Sequence, residues 1–173
     1  MDKELEYKDA LAPFEEIIEQ VYSPKDQDLW RWCHNPINEC DFVVQAENNP
    51  INVPNINIEE ATFEEKVDFI ERYALSAYTS PENAIAAYNE VREIRVSRRG
   101  EQAGLKFDEQ KGGHIQPIHV TPEHGVSDTP SGEHGHVNIL MYKDVKPEDM
   151  VEGAPTPIVK LDNQGNKDEE NAL

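Results

Sequence analysis

The sequence predicts a single α+β domain, with a small, mainly antiparallel sheet and about three helices packed on one side of it. Its 173 residues suffice for one hydrophobic core and are too few for two ordinary domains. Apolar residues recur at helical spacing in three segments, about 10–22, 63–73 and 81–94. Four short segments alternate like strands: the Trp30 region, Leu75 to Thr79, His114 to Val120, and His136 to Tyr142. The domain is expected to span residues 1–161, and the polar end 162–173 to be a disordered acidic tail.

In the first helix Ala10, Leu11, Phe14, Ile17, Ile18 and Val21 form the apolar stripe, Asp9 is placed to cap it, and Pro13 lies early enough to be tolerated. Trp30 and Trp32 then share one face of a strand while Arg31 points to the other, and the strand ends before Pro36. Two prolines and five asparagines in "NNPINVPNIN" predict a loop. Thr62 and Glu65 make a capping box before a helix striped by Phe63, Val67 and Ile70. Ser80 is a natural N-cap and Pro81 occupies the first helical position, so a strand ending near Thr79 runs directly into a helix that buries Ala84, Ile85, Tyr88 and Val91. In the last strand Val137, Ile139 and Met141 share a face, opposite His136, Asn138, Leu140 and Tyr142. Ile115 is out of phase with Ile118 and Val120, which predicts an edge position or a bulge at Pro117.

The formal charge of −19 repels nucleic acid and anionic membranes, and it favours a basic partner protein. Six of the sixteen basic residues, Arg92, Arg95, Arg98, Arg99, Lys106 and Lys111, crowd into residues 92–111. They read as a solvated surface attracted to acidic segments across the fold, or as an anion or phosphate site. The acidic N-terminus and the absence of a run of 18 apolar residues lead to the expectation of a soluble, cytoplasmic protein. Cys33 and Cys40 are spaced as neither a zinc nor a redox pair and are expected to be reduced and packed.

Five of the six histidines lie in "GGHIQPIHVTPEHGVSDTPSGEHGH": His114, His119, His124, His134 and His136. A His-x-His pair such as His134 and His136 can project two ligands from one strand face. Leu140 and Met141 stand where cupins carry the next metal-binding glutamate, and no H-E-x-x-H is present. No metal is expected; for bound zinc the candidate ligands are His119, His134 and His136. "HVTP" resembles half of the two-histidine phosphoesterase motif, whose second half is missing because Val137 and Asn138 follow His136. Nucleophile elbows and phosphate loops are absent.

In order, "LWRWCHNP", "LSAYTSPENAIAAY", "GHIQPIHV" and "GEHGHVNILMY" resemble a pattern in small, mostly uncharacterised bacterial proteins, over residues 29–142. The layout is more distantly similar to the RES-domain and ADP-ribosyltransferase group. In that group a first-strand arginine and a serine-rich strand leading into a helix help hold NAD, and a later glutamate acts on it. The resemblance implies that Arg31 takes the arginine's place and Tyr78, Thr79 and Ser80 the strand end, with Glu133, in a turn, nearest to the glutamate. A guanidinium and a helix N-terminus suit dinucleotide phosphates. Candidate ligand-binding residues are therefore Arg31, Ser80, His119 and His136, and the cofactor implied is NAD.

With so much negative charge and no complete catalytic constellation, the sequence is expected to encode a non-catalytic, inhibitor- or immunity-like accessory protein of a bacterial operon. It would bind a basic protein and need no cofactor. An ADP-ribosyltransferase-like enzyme that binds or consumes NAD is the first alternative, and a histidine-based metalloprotein the second.

Overall fold

Six strands lie in one antiparallel sheet in the order β4-β5-β2-β1-β3-β6. They are β1 (Gln27–Cys33), β2 (Leu75–Tyr78), β3 (His114–Val120), β4 (Gly125–Ser127), β5 (His136–Met141) and β6 (Thr156–Pro157). The computed structural model describes residues 3–158; the tail expected at 162–173 lies outside them. The fold is α+β, and among the described residues no helix is long and apolar enough to cross a membrane.

The longest ladder joins β1 and β3, from Gln27 opposite Val120 to Cys33 opposite His114. It has no bulge at Pro117. The Pro117 carbonyl accepts from Glu152 N at 3.0 Å on the side away from β1, so the N–H that proline lacks would also have pointed outward. Ile115 is out of phase because both faces of the sheet are covered, which leaves apolar side chains useful in either phase. On one face Leu29, Leu75, Ala77, Ile118, Val120, Val137, Ile139 and Met141 pack beneath Val44, Ala46 and Met150. Ala46 belongs to the short helix α3 (Gln45–Asn48), which ends on the first residue of the stretch read as a loop.

Two separate groups of helices cover the opposite face. Here α5 (Pro81–Arg99) and α6 (Glu101–Lys111) enclose Trp30, Trp32, Tyr78 and Ile115. Next to them α1 (Lys8–Leu11), α2 (Glu15–Val21) and α4 (Phe63–Glu71) cover Leu140 and Val126. Phe14 and Phe69 join the two layers of this second group, their ring centroids 5.0 Å apart.

The capping box of α4 forms as expected, with Thr62 N donating to Glu65 Oε2 at 2.8 Å and Glu65 N to Thr62 Oγ1 at 3.2 Å. Ser80 caps α5 by accepting from Asn83 N at 3.1 Å. The first predicted helix is instead broken by a 3-10 turn, Ala12–Phe14, at Pro13, and Asp9 makes no cap because Tyr7 holds that position. α5 runs five residues past its expected end, and α6 occupies a stretch legible only for its charge. Gly104 makes this hairpin possible, since a Cβ there would lie 2.6 Å from Val96 Cγ2. Arg92 reaches Glu101 at 2.6 Å and Asp108 at 3.0 Å, so its ion pairs close the hairpin locally and do not span the fold.

Cys33 is buried with a free thiol, its pKa pushed up to about 12 by burial and by Asp41, whereas Cys40 is exposed and not packed as expected. Gly112 ends α6 at φ +81°, where an added Cβ would lie 2.2 Å from the Cys33 carbonyl oxygen. Gly112→Ala therefore combines left-handed strain with a backbone clash. It is expected to lower stability by about 2 kcal/mol or more, read as an earlier urea midpoint with an unchanged slope.

Candidate functional site: an open polar row on the sheet

Tyr78, Ser80 and His136, three of the residues singled out from the sequence, come together where β2 meets α5. Tyr78 lies opposite both Trp30 and His136 in the sheet, and its ring is 5.5 Å from the His136 ring and 5.3 Å from Trp32. Thr79 N donates to the Gly135 carbonyl at 3.2 Å, which holds the turn before β5 against the start of the helix. Burial lowers the His136 pKa, Asp128 opposes the shift, and the Arg31 charge adds to it. Burial raises the Tyr78 pKa and Arg31 works against it.

Arg31 itself belongs to the other face. Its Nε donates to the Asp41 carbonyl at 2.5 Å, another guanidinium nitrogen donates to the Ser76 carbonyl, and the group lies 5.9 Å from the Phe42 ring centroid. Burial pulls its pKa down to about 10, against the attraction of Asp41. The guanidinium thus ties β1 to β2 and to the following loop, and is not presented beside Ser80. Glu133 is exposed in the turn before β5.

The metal candidates do not converge. His119 lies on β3, three strands from His136 on β5, or about 14 Å at the usual strand spacing. Its Nδ1 is 2.7 Å from Asp28 and its Nε2 is 3.3 Å from Asp26. His134 lies 2.5 Å from Glu90 of α5, and Gly135 at φ +54° turns the chain, so His134 and His136 are not neighbours on one strand face. His124 Nδ1 accepts from Thr121 N at 3.1 Å, and His114 Nδ1 lies 2.7 Å from the Gly112 carbonyl. Among the described residues no group of three or more His, Cys, Asp or Glu side chains is placed to hold a metal ion.

Register reveals a site that sequence reasoning missed. Ser76 pairs with Asn138, and continuing the ladders of β1 and β4 places Trp32 beyond Ser76 and Asp128 beyond Asn138, all on the helix-covered face. Asp128 and Asn138 are buried, and Asp128 accepts from Asn138 N and from Asn138 Nδ2 at 2.8 Å each. Ser76 is exposed although β2 is an interior strand. The alternation in "LSAY" was the signal available; it showed that Ser76 and Tyr78 share a face, not that Ser76 stays exposed while Tyr78 is buried.

The arginine cluster forms a second surface feature. Arg95, Arg98 and Arg99 line a shallow groove with Val91, Ile94 and Ala103. Arg95 lies 4.9 Å from the Phe107 ring centroid.

His34, the histidine outside the cluster, closes the loop after β1. Its Nδ1 is 2.6 Å from Asp41 and its Nε2 is 2.9 Å from the Glu109 carbonyl of α6. Both partners are acceptors, so the doubly protonated ring satisfies both. Partial burial lowers its pKa, but the bonds to Asp41 and Glu109 outweigh this and raise it above 6.5. Its stabilising contribution is therefore complete below about pH 6.5 and fades as pH rises through the higher folded-state value. The difference in urea midpoint between the wild type and His34→Gln is expected to shrink between about pH 6 and about pH 8; a constant difference would show that the charged ring plays no part.

Comparison with protein-family models, curated proteins and solved structures returned no significant match to this chain.

Proposed function

We propose that this chain is a non-catalytic acidic interaction protein, of the accessory or inhibitor-like kind, that binds a basic protein through the adjoining faces of α2 and α4. The observation that carries this reading is a set of exposed carboxylates that form no ion pair among the described residues. Glu15, Glu16 and Glu19 of α2 and Glu64, Glu65 and Asp68 of α4 are exposed, as are Glu59 and Glu60 just before α4. Acidic residues in a first turn stabilise a helix through its dipole, which accounts for Glu15, Glu16, Glu64 and Glu65. Glu19 and Asp68 lie past the first turn and gain little from it. Phe63 and Ile58, 45% and 41% exposed, add apolar contact area at the start of α4. Carboxylates around an apolar anchor suit a basic surface, with long-range attraction speeding encounter and the anchor slowing release.

The test compares the wild type with a variant carrying Glu15→Lys, Glu19→Lys, Glu64→Lys and Asp68→Lys. The wild type is expected to capture a basic protein at about 0.05 M salt and release it near 0.5 M. The variant, with an unchanged circular dichroism spectrum, should not capture it. Equal capture by the variant, or a captured protein that is not basic, would reject the proposal.

The meeting of Tyr78, Ser80 and His136 favours a second reading, an ADP-ribosyltransferase-like protein that binds NAD at the start of α5. It requires a rise in melting temperature with NAD that Ser80→Thr preserves and His136→Ala removes. No shift and no release of nicotinamide would discard it.

A further inference from the structure

The polar row continues one residue beyond Asp128. Ser23 N donates to Ser127 O at 3.0 Å and Ser127 N to Ser23 O at 2.9 Å, a bridge that sets Tyr22 opposite Asp128 on the same face. Tyr22 is 4% exposed, and its hydroxyl is buried without a hydrogen-bond partner. An unmet buried hydroxyl destabilises the empty protein, and here it stands beside a carboxylate. The carboxylate of Glu71, at the end of α4, forms no hydrogen bond or ion pair among the described residues. Burial raises its pKa, and the charges of Asp128 and Asp68 raise it further, so it belongs to the same crowded negative field. Of the nearby cations, Lys25 donates to the Asp128 carbonyl and Arg72 donates to Gln45 Oε1 at 2.7 Å; the Arg72 charge offsets only part of the upward pull on Glu71. Tyr22 follows the last residue of α2, so both helices turn their negative dipole ends toward this place.

Building on the proposed basic partner, we infer that Tyr22, Asp128 and Glu71, approached at the partly exposed Glu71, form a socket for one lysine or arginine side chain of that partner. An ammonium or guanidinium group supplies donors to the Tyr22 oxygen and to the free carboxylate lone pairs. A metal ion does not fit, since the carboxylates are not gathered at ligand spacing.

The test needs no protein partner. The isotope-labelled full chain is titrated with Nα-acetyl-arginine amide, Nα-acetyl-lysine amide and neutral Nα-acetyl-glutamine amide, and amide shifts are followed by NMR. Saturable shifts centred on Tyr22, Glu71, Asp128 and Asn138 are expected with at least one cation and not with glutamine. Glu71→Gln should weaken that binding about tenfold or more. Tyr22→Phe should raise the melting temperature of the free protein by removing the unmet hydroxyl, yet weaken cation binding. Shifts spread over α2 and α4 without saturation, or undiminished binding by both variants, would overturn the socket. Saturable binding here combined with failure to capture any basic protein would uphold the socket and reject the partner reading. Capture that the α2–α4 reversals abolish, with no focused shifts, would reject the socket alone.

Discussion

Both faces of one six-stranded sheet must be kept from water, and a helix is only about 10 Å across, so each helix shields about two strands. β2 enters α5 directly through Ser80 and Pro81, and α5 then crosses toward β1 and β3 to bury Trp32, Tyr88 and Ile115. Coverage of β4 and β5 falls to α2 and α4, joined by the contact between Phe14 and Phe69. The strip between the two helix groups is left to Ser76, Asn138 and Asp128. An apolar row there would expose hydrophobic surface at its open end, whereas polar side chains bonded to one another need no cover.

Tying down the other face takes different chemistry, because loops and short helical turns cover most of it. Asp41 organises the loop after β1: its carboxylate accepts from His34 N at 3.0 Å and from Asn38 N at 2.9 Å, and it lies 2.6 Å from His34 Nδ1. The Asp41 carbonyl in turn accepts from Arg31. The arginine that resembles a nucleotide-binding residue in the sequence therefore works as a brace between β1, β2 and this loop. Its two acceptors are backbone carbonyls, which are present whatever side chains surround it.

Charge follows the same division of labour. Arg92 places its guanidinium on Glu101 and Asp108 inside the hairpin, whereas Glu15, Glu16 and Glu19 of α2 and Glu64, Glu65 and Asp68 of α4 face solvent with no ion pair among the described residues. An acidic excess left unpaired by folding opposes the compact state through repulsion, and a basic partner would relieve it. The proposed socket would place a demand for a cation at the ends of the same two helices that carry these carboxylates.

Local chemistry was legible without coordinates. The capping box at Thr62, the Ser80-Pro81 helix start, the opposite facing of Arg31 and its flanking tryptophans, and the strand phases of Val137, Ile139 and Met141 each depend on residues within a few positions of one another. Helix α6 was not legible, because its packing rests on Gly104 meeting Val96 across a hairpin and not on an apolar stripe of its own. The histidine cluster misled for a related reason. Closeness in sequence says nothing about which strands lie between, and β2 and β1 separate His136 from His119. By itself the sequence determined the α+β class, the acidic charge and the caps of α4 and α5, all set by composition or short-range geometry. Only the tertiary structure decided that Tyr22, Asp128, Asn138 and Ser76 share one row, since strand register across four segments distant in the chain is set by the packing of the whole sheet.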